Sequence, residues 1–365
     1  MIQSYAGCEC ADICFEAAKI CLERDISFAL TFLPGSSKPL FAASESLPQR
    51  VSSLSDCKDG FILNTFASEI KSPLLIKNEL APERIISSNG MCASGVAPYV
   101  TTWEGSTDKN EYIKRVSALI SLLSETGGKT VISRVVCGSS VNIDWIDVAK
   151  ILFQQFDDAY RFLYYTPQTG AWLGATPETL LAYDGFAGRV DTMSLAGTRK
   201  YSICQEPWDY KNIKEHEYVT DYILSCLRSY GLSPEVGDSE NLRYGAIEHL
   251  CHRISVSGVL PESVFGILGR LSPTPALAGY PLDDALLQIA EVEDYPRICY
   301  GGYIGNVVRG NLYCYVNLRC AHIRNERYCL FAGGGITAHS QPLQEWDETE
   351  AKCSALLKII DNVTK

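Results

Sequence analysis

Between Asn317 and Lys352 the chain reads NLRCAHIRNERYCLFAGGGITAHSQPLQEWDETEAK and gathers groups that can hold ions. Arg319 closes an apolar strand pattern, Gly333, Gly334 and Gly335 read as a turn, and Glu345, Glu348 and Lys352 fall at a helix start. The i, i+3, i+7 spacing puts those three charged groups on one helical face. Two carboxylates beside a backbone that only glycine permits can hold a hard cation. Cations nearby can receive an anionic ligand. A solvated helix carrying a Glu348–Lys352 i,i+4 pair would show the same spacing.

The elements that must position these groups are legible from about Lys109 onward. Tyr112, Val116, Leu119, Ile120 and Leu123 mark one face of a helix that stops before Gly127-Gly128. KTVISRVVC (129–137) alternates and is β-branched, as a strand should be, and 144–156 returns to helical periodicity. Short strands are expected at 162–166, 171–174, 179–183 and 189–194, with turns between them. A long amphipathic helix is expected over about 213–230, burying Val219, Tyr222, Ile223, Cys226 and Leu227. Strands near 249–256 and 300–308 lead to a hairpin-like pair at 312–319 and 328–332, and a closing helix spans about 342–360. Successive hairpins with occasional helices imply an α+β chain. Its large antiparallel sheets should pack as a sandwich with outer helices. Residues 109–365 read as one catalytic core. Residues 1–108, with β-type runs at 27–32 and 60–65 and loops at 34–39 and 87–95, read as a β-rich part of the same domain.

Composition bounds the function. The 365 residues are 46% hydrophobic and 21% charged, an ordinary globular balance, and no apolar run is long enough to span a bilayer. The N-terminal residues lack a basic region followed by an apolar stretch, so no signal peptide is expected and the compartment reads as cytoplasmic. With 32 Lys plus Arg against 43 Asp plus Glu, the net charge is −11. An acidic chain without basic runs argues against nucleic-acid or membrane partners. An anionic substrate would then need local positive charge from the site itself. The 15 cysteines form no CxxC pair, and Cys8, Cys10 and Cys14 fit no zinc spacing, so buried reduced thiols are expected.

Several segments carry Gly, Pro or charge where plain strand or helix would not. They are KTVISR (129–134), GATPETLL (174–181), LAGTR (195–199), KNIKEHEYV (211–219), IEHL (247–250), SPTPALAGYP (272–281), EDYPRICYGGYIG (293–305), NLRCA (317–321) and AGGGITAHSQPLQEWDETEAK (332–352). In this order they resemble the chorismate-utilising enzymes, which include isochorismate synthases, salicylate synthases and the synthase components for anthranilate and 4-amino-4-deoxychorismate. The resemblance covers roughly residues 110–360. Water-using members carry a lysine before the strand that reads VISR here, and Lys129 stands there; ammonia users place a glutamine. Where 4-amino-4-deoxychorismate synthases carry a PIKST-like motif, this chain has PTPALAG. Both differences point to water as nucleophile. The resemblance therefore implies isochorismate synthesis for menaquinone or a catecholate siderophore. Salicylate synthesis, by subsequent pyruvate elimination, is the alternative, and a non-catalytic paralogue that binds an aromatic carboxylate is a third.

The same resemblance assigns roles. Lys129, which must be neutral to act as a base, would take a proton from water while Glu178, its pKa raised by burial, protonates the leaving C4 hydroxyl. Glu215, Glu345 and Glu348 would hold Mg²⁺, an all-oxygen set suited to that ion, although Glu215 also fits a plain helix N-terminal charge. Arg319, Tyr300 and the backbone around Gly334 and Gly335 would hold one substrate carboxylate, with Lys352 near the ring carboxylate. Arg suits the task because its planar fork matches a carboxylate bidentately, and a surface salt bridge sits poorly with an apolar strand. Gly197 and Thr198 would contact the ring carboxylate or the departing hydroxyl. His249 fits either a place near the substrate hydroxyl or a hydrogen-bonded core position, and His216 and His252 read as structural. The oligomeric state is left open, with a monomer as the simpler expectation.

Overall fold

The computed structural model describes residues 5–88, 103, 105–203, 206–245, 247–324 and 326–364, with the side chains of residues 5–9 set aside. The loop expected at 87–95 therefore lies mostly outside the described residues, as does the side chain of Cys8.

The chain opens with helix α1 (Tyr5–Glu23), strands β1 (Ser27–Phe32), β2 (Leu40–Ser44), β3 (Gln49–Arg50), β4 (Gly60–Asn64) and β5 (Leu74–Lys77), and helix α2 (Pro82–Ser87). Next come α3 (Lys109–Thr126), β6 (Lys129–Ser139), α4 (Trp145–Gln155), β7 (Tyr160–Thr166), β8 (Gly170–Thr176), β9 (Thr179–Asp184) and β10 (Arg189–Lys200). Helix α5 (Tyr210–Ser229) precedes β11 (Glu235–Tyr244), β12 (Ile247–Ser257), α6 (Pro261–Leu271), β13 (Gly279–Tyr280) and α7 (Leu282–Val292). Strands β14 (Tyr303–Val308), β15 (Asn311–Val316), β16 (Cys320–Arg324) and β17 (Arg327–Ile336) lead to α8 (Pro342–Val363).

The strands form two antiparallel sheets. One runs β13-β6-β17-β16-β8-β7-β1-β2 and the other β11-β12-β10-β9-β15-β14-β4-β5-β3. An aromatic core that includes Phe61, Tyr160, Phe162, Tyr164, Trp172 and Tyr303 joins them. Helices α3, α7 and α8 pack on β6 and β17, while α5 and α6 pack on β10 and β9. Strands from the first 108 residues lie in both sheets. The sandwich of large antiparallel sheets with outer helices is as the sequence implies.

Caps explain the cleanest helix starts. Asp108 accepts from the amides of Asn110 and Glu111 to open α3, Asp144 opens α4 in the same way, and Asp209 accepts from Asn212 to open α5.

Three expectations need correction. Gly333-Gly334-Gly335 is not a turn but the end of β17, paired with Ser133, Ile132 and Val131 of β6. The segments at 312–319 and 328–332 are not a hairpin: β15 pairs with β14 and β9 in one sheet, β17 with β16 and β6 in the other. Arg319 consequently stands outside any strand, at φ +53°, where the chain crosses between sheets. The thiols are not all reduced either, since Cys137 and Cys329 are directly opposed on β6 and β17 and form a disulfide. The remaining described cysteines are free and, apart from Cys10 and Cys57, buried.

Candidate active site

Two crossings between the sheets build one side of the site. Pro177-Glu178 joins β8 to β9, and Asn317-Leu318-Arg319 joins β15 to β16. The crossings run beside each other, held by backbone bonds from the Val316 amide to the Glu178 carbonyl (3.0 Å) and from the Ala175 amide to the Arg319 carbonyl (3.4 Å). An acid and a guanidinium are thus fixed by main chain at neighbouring points of a wall. Glu178 is 4% exposed. Burial drives its carboxyl up to about 8, and Lys129, Arg319 and Lys352 pull it down only in part.

Arg319 donates through Nη2 to His249 Nε2 at 3.1 Å. The other ring nitrogen, Nδ1, lies 3.0 Å from the Gly197 carbonyl and 3.2 Å from Thr198 Oγ1. A guanidinium can only donate and a carbonyl can only accept, so His249 is neutral with its proton on Nδ1. Burial, with Arg319 and Lys352 nearby, agrees by lowering its pKa to about 3. His249 thereby orients Arg319 from a hydrogen-bonded position in the wall.

Gly197, at φ +73°, sits where the β10–β12 register shifts between Ala196 and Thr198. This bulge turns the strand end toward α5, where the Thr198 amide donates to Asn212 Oδ1 at 3.0 Å. Asn212 lies in the first turn of α5, so the same contact places Glu215 about one turn further in.

The opposite side is a stack of charges around the end of β17. Lys129 Nζ lies 2.9 Å from Glu215 Oε1, and Lys211 Nζ lies 3.4 Å from Glu215 Oε2 and 3.1 Å from Glu345 Oε1. Burial works to raise the Glu215 pKa, but Lys129 and Lys211 outweigh it and hold the carboxyl at about 2. Glu345 goes the other way, raised by burial and by Glu348 and Glu215 despite Lys211. The glycines of β17 admit these groups. A Cβ on Gly335 would come within 2.3 Å of Glu215 Oε1 and 2.6 Å of Lys129 Cε, and one on Gly334 within 2.9 Å of Glu345 Oε2. Close approach, not positive φ, is what requires glycine here. Beyond Leu330 the β16–β17 ladder ends, and the Gly333 carbonyl accepts from Lys352 Nζ at 2.8 Å. Lys352 also pairs with Glu348 at 2.5 Å.

A narrow cavity, open to solvent at its mouth, lies between the two sides. Glu178, Gly197, Thr198, Glu215, His249, Tyr300, Arg319, Gly335 and Lys352 line it. Lys129, Gly334, Glu345 and Glu348 stand outside that lining. Tyr300 is buried and stacks on Phe331 at 5.1 Å. His216 lies 3.2 Å from Ser194 Oγ and packs on His252.

The donor set at the charged end is all oxygen, which suits Mg²⁺. Glu345 Oε2 is buried without a hydrogen-bond partner, an atom a cation would satisfy. Among the described residues, however, no three ligating side chains converge into a ready-made metal cluster. Lys211 holds Glu215 and Glu345 together instead.

The sequence reading gave no role to Lys211 or Asn212, although Lys211 stands four residues before Glu215 on one helix face. It also missed the buried Arg297–Glu293 pair, spaced i,i+4. Arg297 donates to the Val131 and Leu277 carbonyls, and Glu293 accepts from the Ser133 amide, so the pair ties β6 to the cavity wall.

A family model described as chorismate binding enzyme matches residues 38–361. The isochorismate synthase EntC of Escherichia coli K12 is 31% identical over 274 residues, covering 72% of this chain and 68% of that protein. The isochorismate synthase MenF of Haemophilus influenzae is 32% identical over 215 residues, 56% of this chain, and the match spans only half of that relative's length. The solved structure of MenF from Escherichia coli, a menaquinone-specific isochorismate synthase, shares the fold with a TM-score of 0.74 at 22% identity, over 94% of this chain and 91% of that one. With the model matching most of its length, this chain belongs to the chorismate-binding enzyme family.

Proposed function

We propose that this chain is an isochorismate synthase, adding water to C2 of chorismate and releasing the C4 hydroxyl as water, with Mg²⁺ as cofactor. One observation carries the reading. Glu178 lines the cavity with its pKa raised to about 8, so it holds a proton at neutral pH, as a general acid must. Across the cavity Glu215 is ionised and Lys129 stands directly behind it.

In this reading Glu178 gives its proton to the leaving C4 oxygen as the C–O bond breaks. Lys129 receives the proton of the attacking water, and as the C2–O bond forms both ring double bonds shift, C1=C2 to C1=C6 and C5=C6 to C4=C5, expelling the C4 oxygen. The base must be a neutral amine when it acts, so the Glu215 carboxylate has to be engaged elsewhere at that moment. Arg319, oriented by His249, offers its fork to a substrate carboxylate, and Lys352 adds a second cation for the dianion. Mg²⁺ held by Glu215, Glu345 and Glu348 would supply positive charge for the ring carboxylate and take up Glu215. Lys129 in place of an ammonia user's glutamine supports water as nucleophile, and the relatives named as isochorismate synthases support the product.

Incubation of the purified protein with chorismate and Mg²⁺, with an EDTA control, tests the reading by chromatography of the products. Isochorismate approaching an equilibrium mixture with chorismate is the expected result. Salicylate with pyruvate would transfer the chain to the salicylate synthases. No Mg²⁺-dependent product, with or without ammonia, would overturn catalysis and leave a binding role.

A further inference from the structure

Lys211 occupies an unusual place. It is the second residue of α5, where the helix dipole disfavours a cation, and it precedes Glu215 in the weaker order for an i,i+4 pair. Local structure does not account for it, but the two carboxylates do. Its ammonium bridges Glu215 at 3.4 Å and Glu345 at 3.1 Å, which come from different helices and would otherwise repel each other. That is where a cation shared by the two carboxylates would sit. Mg²⁺ binds carboxylate oxygen at about 2.0–2.1 Å, so a dication and this ammonium cannot both occupy the gap.

The two lysines on Glu215 differ in one respect that decides their roles. The Lys129 side chain has no solvent exposure, whereas that of Lys211 keeps 17%. Lys129 has no way out. Lys211 reaches in from the surface and can swing back to water.

Resting on the Mg²⁺ reading above, we propose that Lys211 is the internal counter-ion of the metal-free site, a tethered competitor that must leave before Mg²⁺ can join Glu215 and Glu345. It keeps the carboxylates neutralised and in place while the metal is away, and in doing so it sets the metal affinity.

The test is calorimetric titration of MgCl₂ into EDTA-stripped protein, without and with chorismate, for wild type, Lys211→Met and Lys211→Arg. Removing the competitor should tighten Mg²⁺ binding by about tenfold or more, the scale of coupling within one salt-bridge network. Lys211→Arg retains the cation and should stay near wild type. In thermal melts in EDTA, Lys211→Met should melt lower than wild type and recover more on adding Mg²⁺. If the methionine variant does not fold, Lys211→Gln keeps polar reach without charge and serves instead. Equal Mg²⁺ affinity in wild type and the uncharged variant would overturn the counter-ion role and leave the Mg²⁺ reading intact. No Mg²⁺ binding by either protein, even with chorismate, would overturn both.

Discussion

Glu178 and Glu215 are both buried and both line one cavity, yet their carboxyls settle at about 8 and about 2. Burial alone would raise each of them. The difference lies in what touches them: Glu215 has one lysine at 2.9 Å and another at 3.4 Å, while Glu178 feels its cations only from further away. Each placement follows from the fold. Glu178 sits on a main-chain crossing between sheets, which supplies position without charge. Glu215 sits on a helix that packs on β10 and reaches Lys129, the first residue of β6, with its side chain. The same residue type is therefore kept as an acid on one side and as an anion on the other.

The largest expected effect comes from breaking the charged side. Lys129→Met removes the proposed base and the nearer cation of Glu215, leaving Lys211 alone on that carboxylate. Chorismate turnover should fall by about 10²–10⁴-fold, and stability by about 3 kcal/mol, the low end for breaking a buried pair because one lysine remains. A urea melt beside the activity assay checks both. Near-normal turnover would remove Lys129 from the chemistry.

Glu178→Gln should match that loss of turnover, about 10²–10⁴-fold, but with no loss of stability near neutral pH, because an uncharged amide replaces an uncharged acid of the same shape. The pH dependence sharpens the contrast. Wild-type kcat should hold below pH 8 and fall as pH rises through about 8, when Glu178 loses its proton. Stability follows the same sign for this group: its folded pKa is raised, so its contribution is complete below the unfolded value near 4.5 and is lost as pH climbs to about 8. Glu215 has the opposite sign. Its contribution is present above about 4.5 and is lost as pH falls toward about 2. In Glu178→Gln the loss of stability between about pH 4.5 and 8 due to this carboxyl should vanish, while the loss below about 4.5 persists. An unchanged loss between 4.5 and 8 would refute the assignment.

Arg319→Lys keeps a cation but loses the fork and the bond to His249. About 1.5–3 kcal/mol of charge-assisted hydrogen bonding is at stake, so KM for chorismate should rise by roughly tenfold or more with a smaller change in kcat. An unchanged KM would take Arg319 out of the substrate site.

The two sides were unequally legible in the sequence. Periodic helices with Asp caps, α3 and α5 above all, are visible because apolar spacing and capping are local signals. Helix α1 goes unnoticed because cysteine was weighed as chemistry. Cys14, Ala17, Ala18 and Cys21 are its buried face, and the free thiols among them are driven up to about 12 by burial. Strand β11 is exposed along most of its length and has no alternation to detect. The triple glycine was misplaced for a physical reason: glycine marks close approach as well as turns, and only the neighbours of Gly335 tell which. Arg319 looked like a strand end because the switch between sheets leaves no mark in apolar pattern. Motif resemblance gave roles to the charged residues that meet here but none to Lys211, although it opens the KNIKEHEYV motif, because its partner on α8 is remote in sequence.

Asn212→Ala gives the smallest effect and asks whether the two sides are coupled. Asn212 accepts from the Thr198 amide on the β10 bulge and donates to Asp209 Oδ2 at 2.8 Å, tying the start of α5 to the cavity wall. One turn later the same helix presents Glu215 to Lys129. Losing the side-chain amide should cost about 1 kcal/mol of stability, the usual net worth of a hydrogen bond. If the bulge positions substrate through Thr198, KM should rise severalfold with kcat nearly constant. If α5 instead shifts as a body and carries Glu215 with it, kcat and the proposed Mg²⁺ dependence should move together. A KM effect alone would show that the β10 bulge and the charged end of the site are held separately, each by its own part of α5.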